Sequence, residues 1–544
     1  MADAELTPRA IVFGSVIGAV LASANVYMGL KTGWNDTGNL TSSILGFALL
    51  ASLARSTAVS PLEVNILQTT ASAAACSCFG AGLVHIFPAL FLMGVRTPGW
   101  AIALVALTGG AVGILFATLF RQHFVMAEAL PFPSGSAAAQ LIGTMHQRET
   151  GTMKRAWTLI AVAVAAMACV WLRDGVPRWI PSTTAIAFGI GISWSPMLAG
   201  VGMVVGARIG LSLLGGSLVA WVLIAPLVRG HVGDVGAFLL WPGVGLIVST
   251  TLVSLIWERS SFAGGVKSLL RMKRSRSAAL ALLILLAAFL VAWRVLHLSP
   301  LVAVLALVFA LVFASVNVRA AGETDVSPLT QTAQLTQLGV APLTTSQAAA
   351  DVGAPAVGSS AASAAVAMSY AFKTGHLLGA SPRRQIVAQM IGLVVGTAVV
   401  VPAYLLFARV VGVGSTTLPA PAAQTTRLLA DVVARGTAAL PPHAGLATGI
   451  ACAVGAALAA LARTRASRFL PSGSALGMAF LLPTSFALTI GFGAVIAWLL
   501  ARRDPRWSEN YTPAVAAGAI AGEAIGGLII AALVALAVLP PPPG

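Results

Sequence analysis

The sequence predicts an all-α polytopic membrane protein, with roughly 14–16 transmembrane or re-entrant helices in two homologous halves. Three observations carry that expectation. The chain is apolar: hydrophobic residues make up 58% of its 544 positions and charged residues 9%, with a mean hydropathy of +0.92. A soluble domain carries about 25% charge, so lipid is the solvent for most of this chain. The apolar runs are about 20 residues long, and backbone in lipid must satisfy its own hydrogen bonds, which points to helices rather than alternating barrel strands. Finally, two short phrases recur in the same order. Leu30-Lys31-Thr32-Gly33 returns as Phe372-Lys373-Thr374-Gly375, and Pro133-Ser134-Gly135-Ser136-Ala137 returns letter for letter as Pro471-Ser472-Gly473-Ser474-Ala475. Offsets of 342 and 338 residues imply a duplicated unit, with a first membrane repeat and its basic loop over 1–276 and a second repeat over 277–544. Internal repeats in so apolar a chain point to a transporter whose substrate lies where the repeats meet.

Taken in order, residues 10–30 form a first span, too long for a secretory h-region and without a small-residue cleavage site after it. Apolar runs follow at 38–54, 64–94, 99–120, 156–172, 180–193, 196–228 and 237–257. The run 64–94 overshoots the hydrocarbon core and holds Gln68, Thr69, Thr70, Ser72, Ser77 and His85, which predicts a tilted, broken or re-entrant element. In the second half the runs fall at 277–296, 299–317, 351–372, 385–412, 436–461, 475–501 and 512–539. The Thr- and Gln-rich segment Ala320 to Gln347 reads as an aqueous loop, and the tail Pro540 to Gly544 cannot continue a helix. Segments 131–143 and 470–483 are too short to span and open on the repeated proline-serine phrase, so each reads as a half-helix with a capped start.

The net charge of +16 does not point to nucleic acid. Basic residues are scattered over short loops, and the densest group, Lys267 to Arg276, lies between apolar runs as a cytoplasmic loop does under the positive-inside rule. The four cysteines sit inside apolar runs and read as small buried hydrophobes, with no cofactor or metal site expected. Glycine pairs spaced by four (Gly14/Gly18, Gly109/Gly113, Gly202/Gly206/Gly210, Gly518/Gly522/Gly526) suit close helix packing inside the bundle, or a homodimer interface.

Candidate chemistry gathers at the repeated phrases. A helix start presents free N–H donors and about half a positive charge, which suits an anion. Ser134, Gly135 and Ser136, with Ser472, Gly473 and Ser474, would make a paired cradle, unless both are simply capped helix starts at the membrane surface. Lys31 and Lys373 are either snorkelling lysines or part of that site; only five of the 32 basic residues are lysine, and two stand in one repeated phrase. Acidic residues near apolar runs are functional candidates by default. Glu523, deepest in the last run, would hold a proton more tightly if buried alone; Glu63 and Glu128 are further proton-coupling candidates, Glu128 equally an interfacial carboxylate. Nucleotide, metalloprotease and serine-hydrolase motifs are absent, so the driving energy is expected from an ion gradient or a partner subunit.

These residues resemble the oligopeptide transporter family, including its yellow-stripe-like branch. The resemblance runs through Ala24 to Gly33 (ANVYMGLKTG), Leu62 to Thr69 (LEVNILQT), Leu130 to Ala137 (LPFPSGSA), Lys373 to Gln385 (KTGHLLGASPRRQ) and Leu418 to Pro421 (LPAP). It implies proton-driven uptake of small peptides or peptide-like metal chelates across a bacterial inner (plasma) membrane, with Asn25, Tyr27 and Gln68 joining the substrate-binding set. The chain departs from relatives that often carry acids nearby: Ala371 and Phe372 precede Lys373, and Gln140 follows Ala137. An intramembrane enzyme, such as a lipid-modifying transferase, would want clustered histidines or acids where the seven histidines here are dispersed; a passive channel would leave the paired half-helices unexplained.

Overall fold

A computed structural model describes residues 5–53, 59–145, 149–187, 190–232, 234–257, 276–325, 327–344, 348–436, 441–462, 464 and 470–540. The all-α expectation holds. Among the described residues the principal helices are α1 (Pro8–Thr32), α2 (Asn39–Leu53), α3 (Pro61–Gly80), α4 (Ile86–Leu92), α5 (Gly99–Phe120), α6 (Pro133–Met145), α7 (Glu149–Asp174), α8 (Pro196–Leu218), α9 (Val235–Trp257), α10 (Arg276–Leu290), α11 (Pro300–Thr324), α12 (Leu329–Thr344), α13 (Ala348–Gly353), α14 (Pro355–Leu378), α15 (Pro382–Val410), α16 (Pro421–Arg435), α17 (Ala444–Leu461), α18 (Gly473–Leu481), α19 (Thr484–Arg503) and α20 (Pro505–Ala535). Among the described residues nine helical segments are long and apolar enough to cross a membrane, and three shorter apolar helices accompany them. The recurring start is a hydroxyl residue before proline: Thr7, Ser60, Ser195 and Ser299 each cap a free N–H of α1, α3, α8 and α11.

The chain forms two compact units, and neither is a sequence half. The first takes Met1–Ala156, Arg259–Val413 and Ala422–Ala430; the second takes Trp157–Glu258, Gly414–Pro421 and Asp431–Gly544. In the first, α1 and α3 meet backbone to backbone: a Cβ on Gly14 would lie 2.7 Å from the Leu67 carbonyl oxygen, and one on Gly18 2.8 Å from Ala74 Cβ. Gly109 and Gly113 of α5 press on Ser360 and Ala361 of α14. In the second unit, Gly202 and Gly210 of α8 seat on α19, and Gly518 and Gly522 of α20 on α7. Each of the four glycine stripes thus meets this chain's own helices, except at Gly206, which takes φ +81° at a kink in α8 and has nothing within 4 Å of its Cβ position.

The long run 64–94 is broken, as expected. α3 stops at Gly80, Gly82 takes φ +67°, and α4 resumes at Ile86. Both proline-serine segments are short helices, α6 of 13 residues and α18 of 9. Two expectations are overturned. Within 180–193 the described residues form two paired strands rather than a helix, β1 (Thr183–Ala187) antiparallel to β2 (Ile190–Ser193) with Thr183 opposite Ser193; a stretch this short and rich in Thr and Ile favours strand. Ala320 to Gln347 is no aqueous loop. α11 runs on to Thr324, and α12 buries Thr332, Gln334, Thr336, Gln337 and Thr344. Its hydroxyls bond back to carbonyls four residues earlier, and protein rather than water covers its polar face. The basic group Lys267 to Arg274 and the tail Pro541 to Gly544 lie outside the described residues.

Candidate functional site

In the first unit α6 carries the first copy of the proline-serine phrase. Its free N–H groups already meet an anion, the protein's own: Ser134 donates its backbone N–H to Asp325 Oδ1 at 2.8 Å and its hydroxyl to Asp325 Oδ2. Asp325 ends α11 in the left-handed region, φ +66°, where a short polar side chain is tolerated. Gly135 is the contact point with α14. A Cβ there would lie 2.8 Å from the Tyr370 carbonyl oxygen and 3.3 Å from Lys373 Cβ, and the Gly135 carbonyl accepts from Thr374 Oγ1 at 2.8 Å. Lys373 is buried and donates to the Leu130 carbonyl at 2.7 Å, while Tyr370 Oη donates to the Asp325 carbonyl at 3.1 Å. The first Pro-Ser-Gly phrase therefore packs on the second Lys-Thr-Gly phrase. Ser136 points away and donates to the Pro131 carbonyl. Asp325→Ala, which removes two bonds to a charged acceptor, is expected to cost about 1.5–3 kcal/mol; Ser136→Ala is expected to cost about 1 kcal/mol or less. Thermal unfolding in detergent ranks the two, and the reverse order would contradict Asp325 as the anchor.

Beside this lies a second network at the end of α1. Asn25 Nδ2 donates to the Asp36 carbonyl at 2.7 Å and the Ala75 carbonyl at 2.8 Å, and its Oδ1 accepts the Asp36 N–H at 3.0 Å. Gln68 Nε2 donates to Asn39 Oδ1 at 2.7 Å, and Ser72 Oγ to the Thr37 carbonyl at 2.8 Å. These bonds tie the chain that leaves α1 to α3. Desolvation raises the Asp36 carboxyl above its ordinary range, against N–H donors from Gly38 and Thr37, and Asp325 stands near enough to add to the shift. Lys31 keeps its Nζ 3.5 Å from Tyr27 Oη and over the Tyr27 ring, which in turn meets Phe407 at 5.4 Å.

The second copy of the phrase, in the second unit, has a different setting. Ser472 caps α18 through the Ala475 N–H, shares a 3.1 Å hydroxyl contact with Ser474, and gives its own N–H to Ser212 Oγ at 2.8 Å. A Cβ on Gly473 would lie 2.4 Å from Thr250 Oγ1. A carboxylate serves one copy and a hydroxyl the other. Glu523, fully buried on α20, has strong partners: Arg173 Nη1 at 3.1 Å, Ser195 Oγ at 2.8 Å from both oxygens, and the Met197 N–H at 2.9 Å. Arg173 also grips Asp174 with two bonds and the Trp194 carbonyl. Glu523 is thus the acceptor for the first turn of α8, not a carboxylate standing alone.

The remaining acidic candidates are paired as well. Glu63 binds Arg9 through Nε at 2.5 Å and Nη2 at 2.6 Å, and Thr7 donates to it. Glu128 is exposed and pairs with Arg319 at 3.2 Å and His123 at 2.9 Å.

The sequence profile of the OPT oligopeptide transporter proteins matches residues 5–251 and 271–534. The chain belongs to the oligopeptide transporter family. Metal-nicotianamine transporter YSL2 of Arabidopsis thaliana is 24% identical over 99% of this chain and 94% of its own length. A rice protein, Oryza sativa subsp. japonica, provisionally named metal-nicotianamine transporter YSL10, is 24% identical over 99% of this chain and 92% of its own. A Haemophilus influenzae protein that carries a provisional oligopeptide-transporter name is 29% identical over 37% of this chain, the match spanning 32% of that relative. The relatives are named as transporters, which sets aside the lipid-modifying enzyme.

In this transporter the motif residues fall into three groups: Ser134, Gly135 and Lys373 together, Asn25 and Gln68 together, and Lys31 with Tyr27. Ser472 to Ser474 and Glu523 belong to the second unit. Sequence reasoning missed Asp36, Asp325 and Arg173. Asp325 sits in the segment read as an aqueous loop, and Arg173 resembles any lysine or arginine closing an apolar run, so neither carries a local signal.

Proposed function

We propose that this transporter moves small peptides, or metal complexes of peptide-like chelators, in symport with protons across a bacterial inner membrane. The observation that carries the reading is the charge-bearing polar network of the first unit. Buried Lys373, the donors at the start of α6, and the carboxylates Asp325 and Asp36 stand in one connected region. A peptide presents one ammonium and one carboxylate, so it needs both signs of partner, each held by protein in place of water. Ser134 and Gly135 would take the carboxylate when Asp325 lets go, with Lys373 adding charge. The repeated phrases in this reading descend from a duplicated ancestor, and Ser472 to Ser474 would have kept the cap while exchanging a carboxylate partner for a hydroxyl.

Purified protein in proteoliposomes tests the reading. A gradient of about one pH unit can sustain about tenfold accumulation for one proton per substrate. Trialanine, or the iron complex of nicotianamine, is expected to accumulate under an inward proton gradient and to leak out when a protonophore is added. Equilibration without accumulation would mark a channel. Movement of neither probe would end the reading.

A further inference from the structure

Among the described residues four carboxylates are more than nine-tenths buried: Glu5, Glu63, Asp351 and Glu523. Three are matched by arginine, Glu5 by Arg384 at 2.9 Å, Glu63 by Arg9 and Glu523 by Arg173. Asp351 differs. It is 1% exposed, on the short helix α13, and its oxygens accept from two neutral donors, Gln337 Nε2 at 2.9 Å and Thr344 Oγ1 at 3.2 Å. No cation pairs with it among the described residues.

Among the described residues the helices packed on α13 place no charge beside it either. α13 packs on α4, α12 and α14. Neither α4 nor α12 carries a titratable residue. His85, just before α4, has Nε2 3.0 Å from Ser359 Oγ. On α14 the titratable side chains are Tyr370, Lys373 and His376, four turns or more from Pro355. α16, whose Thr426 carbonyl accepts from Gln337 at 3.2 Å, carries Arg427, Asp431 and Arg435, and both arginines are exposed. An ionised carboxylate in such a place is costly unless it takes up a cation, and a proton is the smallest change that removes the cost.

A second observation points to the same exchange. Gln337 Oε1 is buried and has no hydrogen-bond partner. A carboxyl O–H is the donor that this oxygen lacks, and half a turn of the amide would present it. We propose that Asp351 is the carboxylate that binds and releases the coupling proton, held by Gln337 and Thr344. The step is one proton taken from the acidic side and one released to the other, with no other bond made or broken. The inference rests on the symport reading above.

The test uses full-length protein and two readouts. Infrared spectra of the purified protein are expected to show a protonated carboxylic carbonyl at neutral pH that Asp351→Asn removes; this arm needs no substrate. In proteoliposomes Asp351→Asn is expected to lose gradient-driven accumulation of trialanine or iron–nicotianamine while counterflow exchange persists. A carboxylic band left unchanged in Asp351→Asn overturns the proposal, as does wild-type accumulation by that variant. So does accumulation driven by sodium alone. Should wild-type protein move neither probe, the symport reading fails and the infrared arm still decides whether Asp351 holds a proton. Should Asp351→Asn not insert, Gln337→Leu takes its place. Loss of a donor to the ionised form is expected to move the midpoint of the band upward in pH. An unmoved midpoint overturns the proposal.

Discussion

Glu523→Leu is expected to destabilise the second unit by about 3–5 kcal/mol, the range for removing one member of a buried charge pair. The change takes the shared acceptor from Arg173, Ser195 and the Met197 N–H at once. Arg173 retains Asp174, so the desolvation left behind is that of the start of α8 as well as of the guanidinium. Glu523→Gln keeps the shape and one acceptor oxygen and is expected to cost about 1–3 kcal/mol. Thermal unfolding of the purified protein, followed by size-exclusion profile, separates the variants. A leucine variant as stable as wild type would mean that the Arg173–Asp174 pair carries the region by itself. A proton-coupling role for Glu523 makes the opposite demand: uptake, and not stability, would then change in Glu523→Gln.

Gly135→Val is expected to abolish accumulation of substrate. The glycine sits where α6 touches α14, with 2.8 Å between a hypothetical Cβ and the Tyr370 carbonyl oxygen. Backbone cannot yield as a flexible side chain can, so the helices must part. That separation pulls Ser134 from Asp325 and Gly135 from Thr374. Overpacking of this kind costs about 1–3 kcal/mol, which leaves folded protein to assay. Gly143 on the same helix has nothing within 4 Å of its Cβ position and supplies the control. Gly143→Ala is expected to insert and transport as wild type. Equal uptake by Gly135→Val and Gly143→Ala would remove the α6–α14 contact from the mechanism.

The elements whose cause lies in local sequence were legible. Proline followed by serine marked the starts of α6 and α18, and polar residues in an over-long apolar run marked the break between α3 and α4. Apolar length gave the spans. What composition concealed was α12, because a Thr- and Gln-rich segment reads as water-facing unless the protein that covers it is known. The candidate site divided in the same way. Asn25, Gln68, Gly135 and Lys373 stood in repeated or polar phrases inside apolar runs, and all are buried and bonded. Asp325 and Ser134 are 191 residues apart, and Arg173 and Glu523 are 350 apart. Single partners at such separations leave no periodicity to read, and each was found only through its geometry.

α12 also bears on how the chain is made. A helix with five buried Thr and Gln side chains would not partition into a bilayer by itself during synthesis. Most of its partners are close in the chain. Thr332 bonds Asn317, 15 residues earlier, while Gln337 and Thr344 bond Asp351, 14 and 7 residues later. The Thr426 carbonyl arrives much later, 89 residues on. The stretch from α11 to α13 can therefore satisfy part of its own polarity, Gln334 excepted, as it leaves the ribosome, and enter the membrane as a preassembled unit before the rest of the bundle exists. Ribosome-bound chains truncated just after Gly353 should then integrate this segment, and chains truncated before Ala348 should not.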